Sequence, residues 1–525
     1  MDTGRPIGYE ATVSVRWAFP PLHYPTGAAL HHRLEHRADE DGELPALRWE
    51  AEHFTFRSVD GLANAMAHEL GALGVGPGAR VALMTSNRPE FVFALFGALK
   101  VGAAVVMVNP SWKPTEIEHA LSLTEPALAV CDGDVVATLD AVSAATPVLH
   151  LDRDDIPGRL MGGSGQRPDV SVEWDAQDAV LVFSSGTTGM PKAVRHGHAT
   201  LGPAAIHWAS ALGLGRDDRL QVATPPFHIL GLLNILAAVH AGSSVRLHRR
   251  FDLDSVLRSV EKDGITVEMA VAPIALAMAN HPDLEAYDLS SLRYIMWGAT
   301  PVTESIALEV TRRTGVPFMP AYGASEVPVI TCNPVARPDQ WRLDSTGLPV
   351  HDVRIRIADV ETGALLAPGQ EGEIQVRSPS TMLGYLPEEA NADACVDGWY
   401  RTGDVGLMDG DGWIRITDRL KEMIKVKGFQ VAPAEVEAVL LSHPAVIDCA
   451  VFGVPDDRTG EAVAAAVQVH STVDVSDEHL TAYVAERLSS YKRITRLHRV
   501  PGIPRLPSGK ALRRVLRDEL RSSPG

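Results

Sequence analysis

The densest chemistry in the chain lies in one ten-residue string, Phe183-Ser-Ser-Gly-Thr-Thr-Gly-Met-Pro-Lys192, which follows an apolar run. It gathers Ser184, Ser185, Gly186, Thr187, Thr188, Gly189 and Lys192. Glycines let successive backbone N–H groups turn toward one point, and the hydroxyls and the lysine add donors, a set suited to a polyphosphate. The spacing is not GxxxxGK[ST], because Pro191 stands where the second glycine belongs, so a kinase of the P-loop type is disfavoured. Further polar segments follow: Tyr322-Gly-Ala-Ser-Glu326, Tyr400-Arg-Thr-Gly-Asp404, Asp418-Arg-Leu-Lys-Glu422, Ile424-Lys-Val-Lys-Gly-Phe-Gln430 and Leu506-Pro-Ser-Gly-Lys510. A lysine on a loop bounded by Pro and Gly, such as Lys510, can reach into a cleft.

The elements that must position these residues read as alternating strands and helices. Leu62, Met66, Leu70 and Leu73 recur at helical spacing until the glycine cluster Gly71 to Gly78 stops them. Apolar runs at Val81–Met84, Ala103–Val108, Ala127–Val130, Ala179–Phe183, Ser244–Leu247, Ile265–Ala270 and Tyr294–Trp297 alternate with turns or helix starts, among them Pro89 and Pro114. That order predicts βαβ units and a mostly parallel sheet. Beyond Thr417 the spacing changes to runs at Met423–Val426, Val446–Val454 and Ala462–Val469 with helices from Pro433 and over Asp477–Leu488, a separate α+β unit of about a hundred residues. The expected fold class is α/β, with a large multi-layer N-terminal body over 1–420 and a smaller, mobile α+β C-terminal domain over 421–525.

Composition narrows the function classes. A chain of 525 residues needs more than one core, and 45% hydrophobic with 22% charged residues is ordinary for a globular protein. The net charge of -18, with no local basic block, opposes nucleic-acid and anionic-membrane partners. The apolar run Phe91–Val108 is broken by Lys100 and Gly102, which favours a buried helix and strand over a membrane span. No secretory signal is read in the first residues. Cys131, Cys332, Cys395 and Cys449 form no CxxC pair and read as buried free thiols of a reducing, cytoplasmic setting. Gly74-Val-Gly76-Pro-Gly78 follows a helix and precedes a strand, the reverse of a dinucleotide fingerprint. His31, His32 and His36 sit among Arg33, Glu35 and Arg37 as on a solvated face, and no GxSxG nucleophile elbow occurs.

Taken in order, the segments resemble those of the adenylate-forming superfamily of acyl-CoA synthetases, firefly-type luciferases and nonribosomal-peptide adenylation domains, over nearly the whole chain. The resemblance implies ATP, Mg²⁺ and coenzyme A as cofactors. It implies that Ser184 to Lys192 hold the phosphates, Tyr322 flanks adenine, Ser325 bonds an α-phosphate or carboxylate oxygen, and Glu326 holds the metal. Asp404 would take the ribose hydroxyls, Arg419 would reach ribose or phosphate, and Lys421 would be the hinge. Lys427 and Gly428 would face the site after rotation, with Gly428 leaving space for the pantetheine arm. Lys510 would contact substrate carboxylate and α-phosphate.

Pro225-Pro-Phe-His228 resembles the mouth of the acyl pocket, with His228 gating between acid and thiol. The peptide-synthetase aspartate that holds an α-ammonium has no counterpart here, which argues against an amino acid. Trp297, Gly298, Ala299 and Ala321 complete the expected pocket, and Trp297 on its wall would obstruct a long-chain acid. The reaction implied is formation of an acyl-adenylate with release of pyrophosphate, then transfer to coenzyme A, with an aromatic, alicyclic or medium-chain acid favoured. A carrier-protein thiol or an amine is the alternative acceptor, and a non-catalytic nucleotide-binding protein is the rival reading from another class.

Overall fold

Runs such as Ala104–Met107 and Tyr294–Trp297 are apolar at every position and buried at every position, the pattern of parallel strands covered on both faces. The computed structural model describes residues 28–522 apart from 134, 136, 140–145, 154, 171–173, 175–176, 185–190, 300–302, 421, 427–428, 457, 459, 471–472 and 506–508. Among the described residues the strands form four sheets.

The first sheet, of seven strands, has a parallel core in the order Asp178–Ser184, Ala104–Met107, Arg80–Met84, Leu128–Cys131, Val148–His150. Lys192–Gly197 and then Gly384–Leu386 add antiparallel to its near edge. The second, of nine strands, is parallel from Phe318–Tyr322 through Tyr294–Trp297, Val267–Ala270, Arg219–Val222 and Ser244–Leu247 to Pro45–Trp49. Helices start where proline supplies the first-turn geometry, as at Pro89–Lys100, Pro114–Thr124 and Pro433–Leu441. Gly74 and Gly78, both at positive φ, only turn the chain from the helix Phe56–Ala72 into Arg80–Met84.

The third sheet is antiparallel, where the sequence suggests βαβ units and a mostly parallel sheet. Arg354–Ala358, Gly372–Arg377, Cys395–Val396, Trp399–Met408 and Ile414–Arg419 pair antiparallel, joined without an intervening α-helix. One apolar cluster, from Leu30 to Ile414, runs through all three sheets. The clusters from Ile424 onward contain residues of the C-terminal part alone. There Val446–Asp456 turns Cys449 and Val451 into one cluster and Ala450, Phe452 and Val454 into the other, so the five-stranded fourth sheet is covered on both faces.

Two readings of the surface are corrected. His31 does not lie on a solvated face: the helix Leu30–Glu40 turns it inward with Leu30, Leu34 and Ala38, and its ring packs 4.8 Å from Trp174. Glu35 on the same helix pairs with the fully buried Lys100, whose ammonium also lies 2.8 Å from Asp60. Cys395 is exposed, whereas Cys131, Cys332 and Cys449 are buried, and none of the four is in a disulfide among the described residues. Among the described residues no helix is long and apolar enough to cross a membrane.

Candidate active site

Asp178–Ser184 and Lys192–Gly197 form a hairpin in which Ser184 pairs with Lys192, so these two residues stand at the two ends of the phosphate-type loop. Ser185, Gly186, Thr187, Thr188 and Gly189 lie outside the described residues. Lys192 is exposed, and its ammonium sits 5.2 Å from the centre of the Tyr385 ring, within cation–π reach.

Tyr322 closes the strand Phe318–Tyr322 and donates its hydroxyl to Asp404, which stands in Trp399–Met408. Arg419 Nε reaches the other oxygen of that carboxylate at 2.6 Å, and Thr402 Oγ1 accepts from the Asp404 N–H at 3.0 Å. The three side chains thus converge from two sheets. Burial pushes the Asp404 carboxyl up, while the Arg419 guanidinium and the Tyr322 hydroxyl pull it down. Each oxygen of an ionised carboxylate has two acceptor sites, so Asp404 keeps one on each for a diol.

After Tyr322 the chain makes a tight turn: a Cβ at Gly323 would fall 2.0 Å from Pro328 O, so only glycine fits. The turn delivers Ser325 and Glu326, both part-exposed. His196, buried in the strand after the hairpin loop, lies with Nε2 2.7 Å from Ser325 O. Burial lowers its pKa to about 4, so the ring is neutral and its Nε2–H is the donor to that carbonyl. Glu326 Oε1 accepts from Tyr385 Oη at 2.8 Å. A part-exposed carboxylate is the hard oxygen donor that Mg²⁺ takes, so Glu326 fits the implied metal.

Lys510 comes from the C-terminal part. Gly509, at φ +86, turns the chain, Arg505 Nη1 donates to Gly509 O at 2.8 Å, and Arg505 is itself paired with Asp448 at 2.6 Å. The Lys510 ammonium rests 3.1 Å from Glu422, which Arg513 also engages. Burial and then Arg419 lower the Lys510 pKa to about 8, and Asp404 and Asp418 raise it, which places the ammonium in the field of the Asp404–Arg419 pair. Asp418 accepts from the N–H of Ala434 at 2.9 Å in the first turn of Pro433–Leu441, so the segment before Lys421 is tied to the C-terminal part. Lys421, Lys427 and Gly428 lie outside the described residues.

His228 caps the helix Ile229–Ala241, and a Cβ at Gly231 would lie 2.6 Å from Pro225 O, so the first turn packs against the Pro225-Pro226 backbone. The imidazole packs on Phe227, 4.7 Å between ring centres, its buried Nε2 has no partner among the described residues, and burial lowers its pKa to about 4. A cleft of about 590 Å³ reaches Pro225 and Phe227 and is lined also by Arg249, Arg250 and Arg505.

The expectation that Trp297 walls the acid pocket is corrected. Along Tyr294–Trp297, Tyr294 and Met296 face the main core, whereas Ile295 and Trp297 face the second cluster with Ala275, Val310 and Phe318. The indole is fully buried, 5.4 Å from the Phe318 ring. Period-two alternation points it away from the face that carries Met296. Gly298 is buried, the exposed Ala299 adopts φ +64, and the buried Ala321 lies in the neighbouring strand. Alanine is strained in that left-handed region, a feature frequent at functional sites.

Three residues of this constellation were missed in the sequence: Tyr385, His196 and Glu422 as the partner of Lys510. Tyr385 and His196 act across sheet edges and show no local spacing signal. Glu422 lay within a segment already singled out.

The model of the AMP-binding enzyme family matches residues 34–386, and that of the AMP-binding enzyme C-terminal domain matches 435–510. The 4-coumarate–CoA ligase 5 of Oryza sativa subsp. japonica is 34% identical over 95% of this chain and 95% of its own. ATP-bound MatB from Rhodopseudomonas palustris superposes with a TM-score of 0.89 at 26% identity, covering 95% of this chain and 99% of that one. The anthranilate CoA ligase AuaEII in complex with anthranoyl-AMP gives 0.88 at 25% identity, over 94% and 98%. The chain belongs to the AMP-binding enzyme family and, within it, to the ATP-dependent acid–thiol ligases.

Proposed function

We propose that the chain activates an aromatic carboxylic acid as its acyl-adenylate and passes the acyl group to coenzyme A in one site. The observation that carries this reading is that Lys510, borne by a loop of the part that has its own cores, is held 3.1 Å from Glu422, whose N–H donates to Arg419 O at 2.9 Å beside the joined Tyr322, Asp404 and Arg419 side chains. The relatives, which include a 4-coumarate–CoA ligase and an anthranilate CoA ligase, support the aromatic acid class. With Trp297 facing the core, the reason for disfavouring a long chain no longer holds.

Adenylation joins two anions at the α-phosphorus, so the site's main task is to neutralise charge. Ser184 and Lys192, with the loop between them, hold phosphate oxygens; Tyr322 flanks adenine; Asp404 accepts from the ribose hydroxyls and Arg419 orients that carboxylate. Ser325 bonds an α-phosphate or carboxylate oxygen. Lys510 leaves Glu422 for the acid carboxylate and α-phosphate. Glu326 would hold Mg²⁺, which when bound screens phosphate charge. The unit over 421–525 then turns about Lys421 as a lid over the body formed by 1–420, bringing Lys427 and Gly428 to the adenylate and carrying Lys510 away. His228, neutral by its lowered pKa, separates acid from thiol without adding charge. Gly298, Ala299 and Ala321 line the acyl pocket. The cleft with Arg249, Arg250 and Arg505 suits a phosphate-bearing thiol arriving beside His228. Four cysteines outside any disulfide among the described residues fit a reducing cytoplasm.

The test is ATP–pyrophosphate exchange over a panel of aromatic, alicyclic and fatty acids, then mass spectrometry of products with coenzyme A, a carrier-protein thiol or an amine supplied. Exchange with aromatic acids and an acyl-CoA product is expected. Exchange confined to aliphatic acids overturns the acid class, and an amide or carrier-bound product without acyl-CoA overturns the acceptor.

A further inference from the structure

Tyr385 lies in Gly384–Leu386, a short strand that pairs with the strand after the phosphate-type loop, Tyr385 opposite Val194. Its backbone is pinned on the other side: Tyr385 N donates to Asn391 Oδ1 at 2.8 Å, and Asn391 Nδ2 donates to Tyr385 O at 3.2 Å. Gly384, at φ +146, allows that approach, since a Cβ there would fall 2.9 Å from Asn391 Oδ1. Just upstream, Met382 N donates to Glu326 O and Leu383 N to Arg195 O, each at 2.8 Å. One short segment is therefore stitched both to the turn that carries Glu326 and to the strand that begins at Lys192. Its buried phenol donates to Glu326 Oε1 at 2.8 Å, stands 3.5 Å from the Tyr400 hydroxyl, and lays its ring beneath the Lys192 ammonium.

We propose that Tyr385 is a positioning residue of the nucleotide site: its hydroxyl fixes the Glu326 carboxylate for a divalent cation, and its ring seats Lys192 for the phosphates. The proposal rests on the assignment of Glu326 to Mg²⁺ made above. A carboxylate on a three-bond side chain turns freely unless one oxygen is held; with Oε1 held by the phenol, Oε2 is left for the cation. Burial, and then the charge of Glu326, push the phenol's pKa up, so it stays a donor at any working pH. The ring contact is independent of the hydroxyl, so the two roles separate by substitution.

The experiment is calorimetric titration of ATP into the full chain, once with Mg²⁺ and once with EDTA. Mn²⁺ binding in the presence of ATP is followed in parallel by electron paramagnetic resonance, and melting temperature is recorded throughout. Tyr385→Phe keeps the ring and removes the charge-assisted hydrogen bond, so ATP affinity with Mg²⁺ and Mn²⁺ affinity should fall about tenfold. ATP affinity in EDTA should be unchanged. Tyr385→Leu should lose affinity in EDTA as well, because Lys192 loses its support. On a Glu326→Gln background, Tyr385→Phe should add no further loss. If Glu326→Gln leaves the Mg²⁺ dependence intact, the assignment of Glu326 fails and this proposal with it. If Glu326→Gln loses the dependence while Tyr385→Phe keeps it, or lowers affinity equally with and without Mg²⁺, the proposal alone is overturned.

Discussion

The nucleotide cluster around Asp404 and the loop that carries Lys510 reach the same place by opposite means. Tyr322, Asp404 and Arg419 sit on or at the ends of strands, and the carboxylate is engaged on both oxygens before any ligand arrives. Lys510 sits on a glycine turn, part-exposed, and its ammonium is borrowed by Glu422. Under the proposed function the first region stays and the second leaves. A group needed in both half-reactions can be fixed by buried hydrogen bonds, whereas one needed in adenylation alone gains from a partner that it can exchange.

The largest expected effect lies in the core beneath the fixed side, where Tyr294–Trp297 pairs with the strand that ends at Tyr322. Trp297→Ala should cost about 3–5 kcal/mol of stability, because a fully buried indole leaves a cavity in the second core. The ranking of acids in pyrophosphate exchange should match the parent. A shifted chain-length profile at parental melting temperature would restore the pocket-wall reading.

Next comes the Lys510 side. Lys510→Ala should lower adenylation on the order of 10²–10³, the loss seen when one charged or polar donor is removed from such a site, and leave thioester formation from supplied acyl-adenylate intact. Melting temperature should hold, since Arg513 still engages Glu422. Equal loss in both halves would contradict the assignment. Asp404→Asn gives the contrast: the ribose belongs to ATP and to the adenylate alike, so both half-reactions should weaken together, by about tenfold for one charged hydrogen-bond partner. A split between the halves would mean that Asp404 is not a ribose ligand.

The same contrast explains what was legible in the sequence. Ser244–Leu247 and Tyr294–Trp297 were read at the boundaries observed, because a buried parallel strand is a closed apolar run between turn residues. The third sheet was not separated, since its strands mix polar and apolar positions and are interrupted by register shifts, as between Val405 and Gly406. Residue type told what Asp404 and Lys510 can do. It could not tell that Tyr322 would meet Asp404, that Trp297 would turn from Met296, or that His196 and Tyr385 would brace the Glu326 turn, because these are consequences of sheet order and strand phase.

The smallest effect is a pH dependence that we assign to Lys510. Burial and Arg419 lower the Lys510 pKa to about 8 from an ordinary 10.5, so the ammonium is present below that pH and lost as pH rises through it. In the free enzyme, kcat/KM for adenylation should therefore bend downward above about pH 8, approaching a tenfold loss per unit. Bound ATP adds negative charge beside the ammonium, so the bend in kcat should move to higher pH. Stability runs the other way. Between the lowered folded value and the ordinary unfolded one, the unfolded chain holds the extra proton, so Lys510 makes stability rise with pH there and cannot itself cause a loss of fold. Glu268 and Glu437, both raised to about 8 by burial, titrate in the same range, and Glu437 is bonded to Arg513. Lys510→Arg separates them, because a guanidinium stays charged: whatever activity it retains should show no bend near 8 if Lys510 is the titrating group. A bend that survives in that variant, or that appears equally in thioester formation, would assign the dependence to the buried carboxyls and remove the titration of Lys510 from the mechanism.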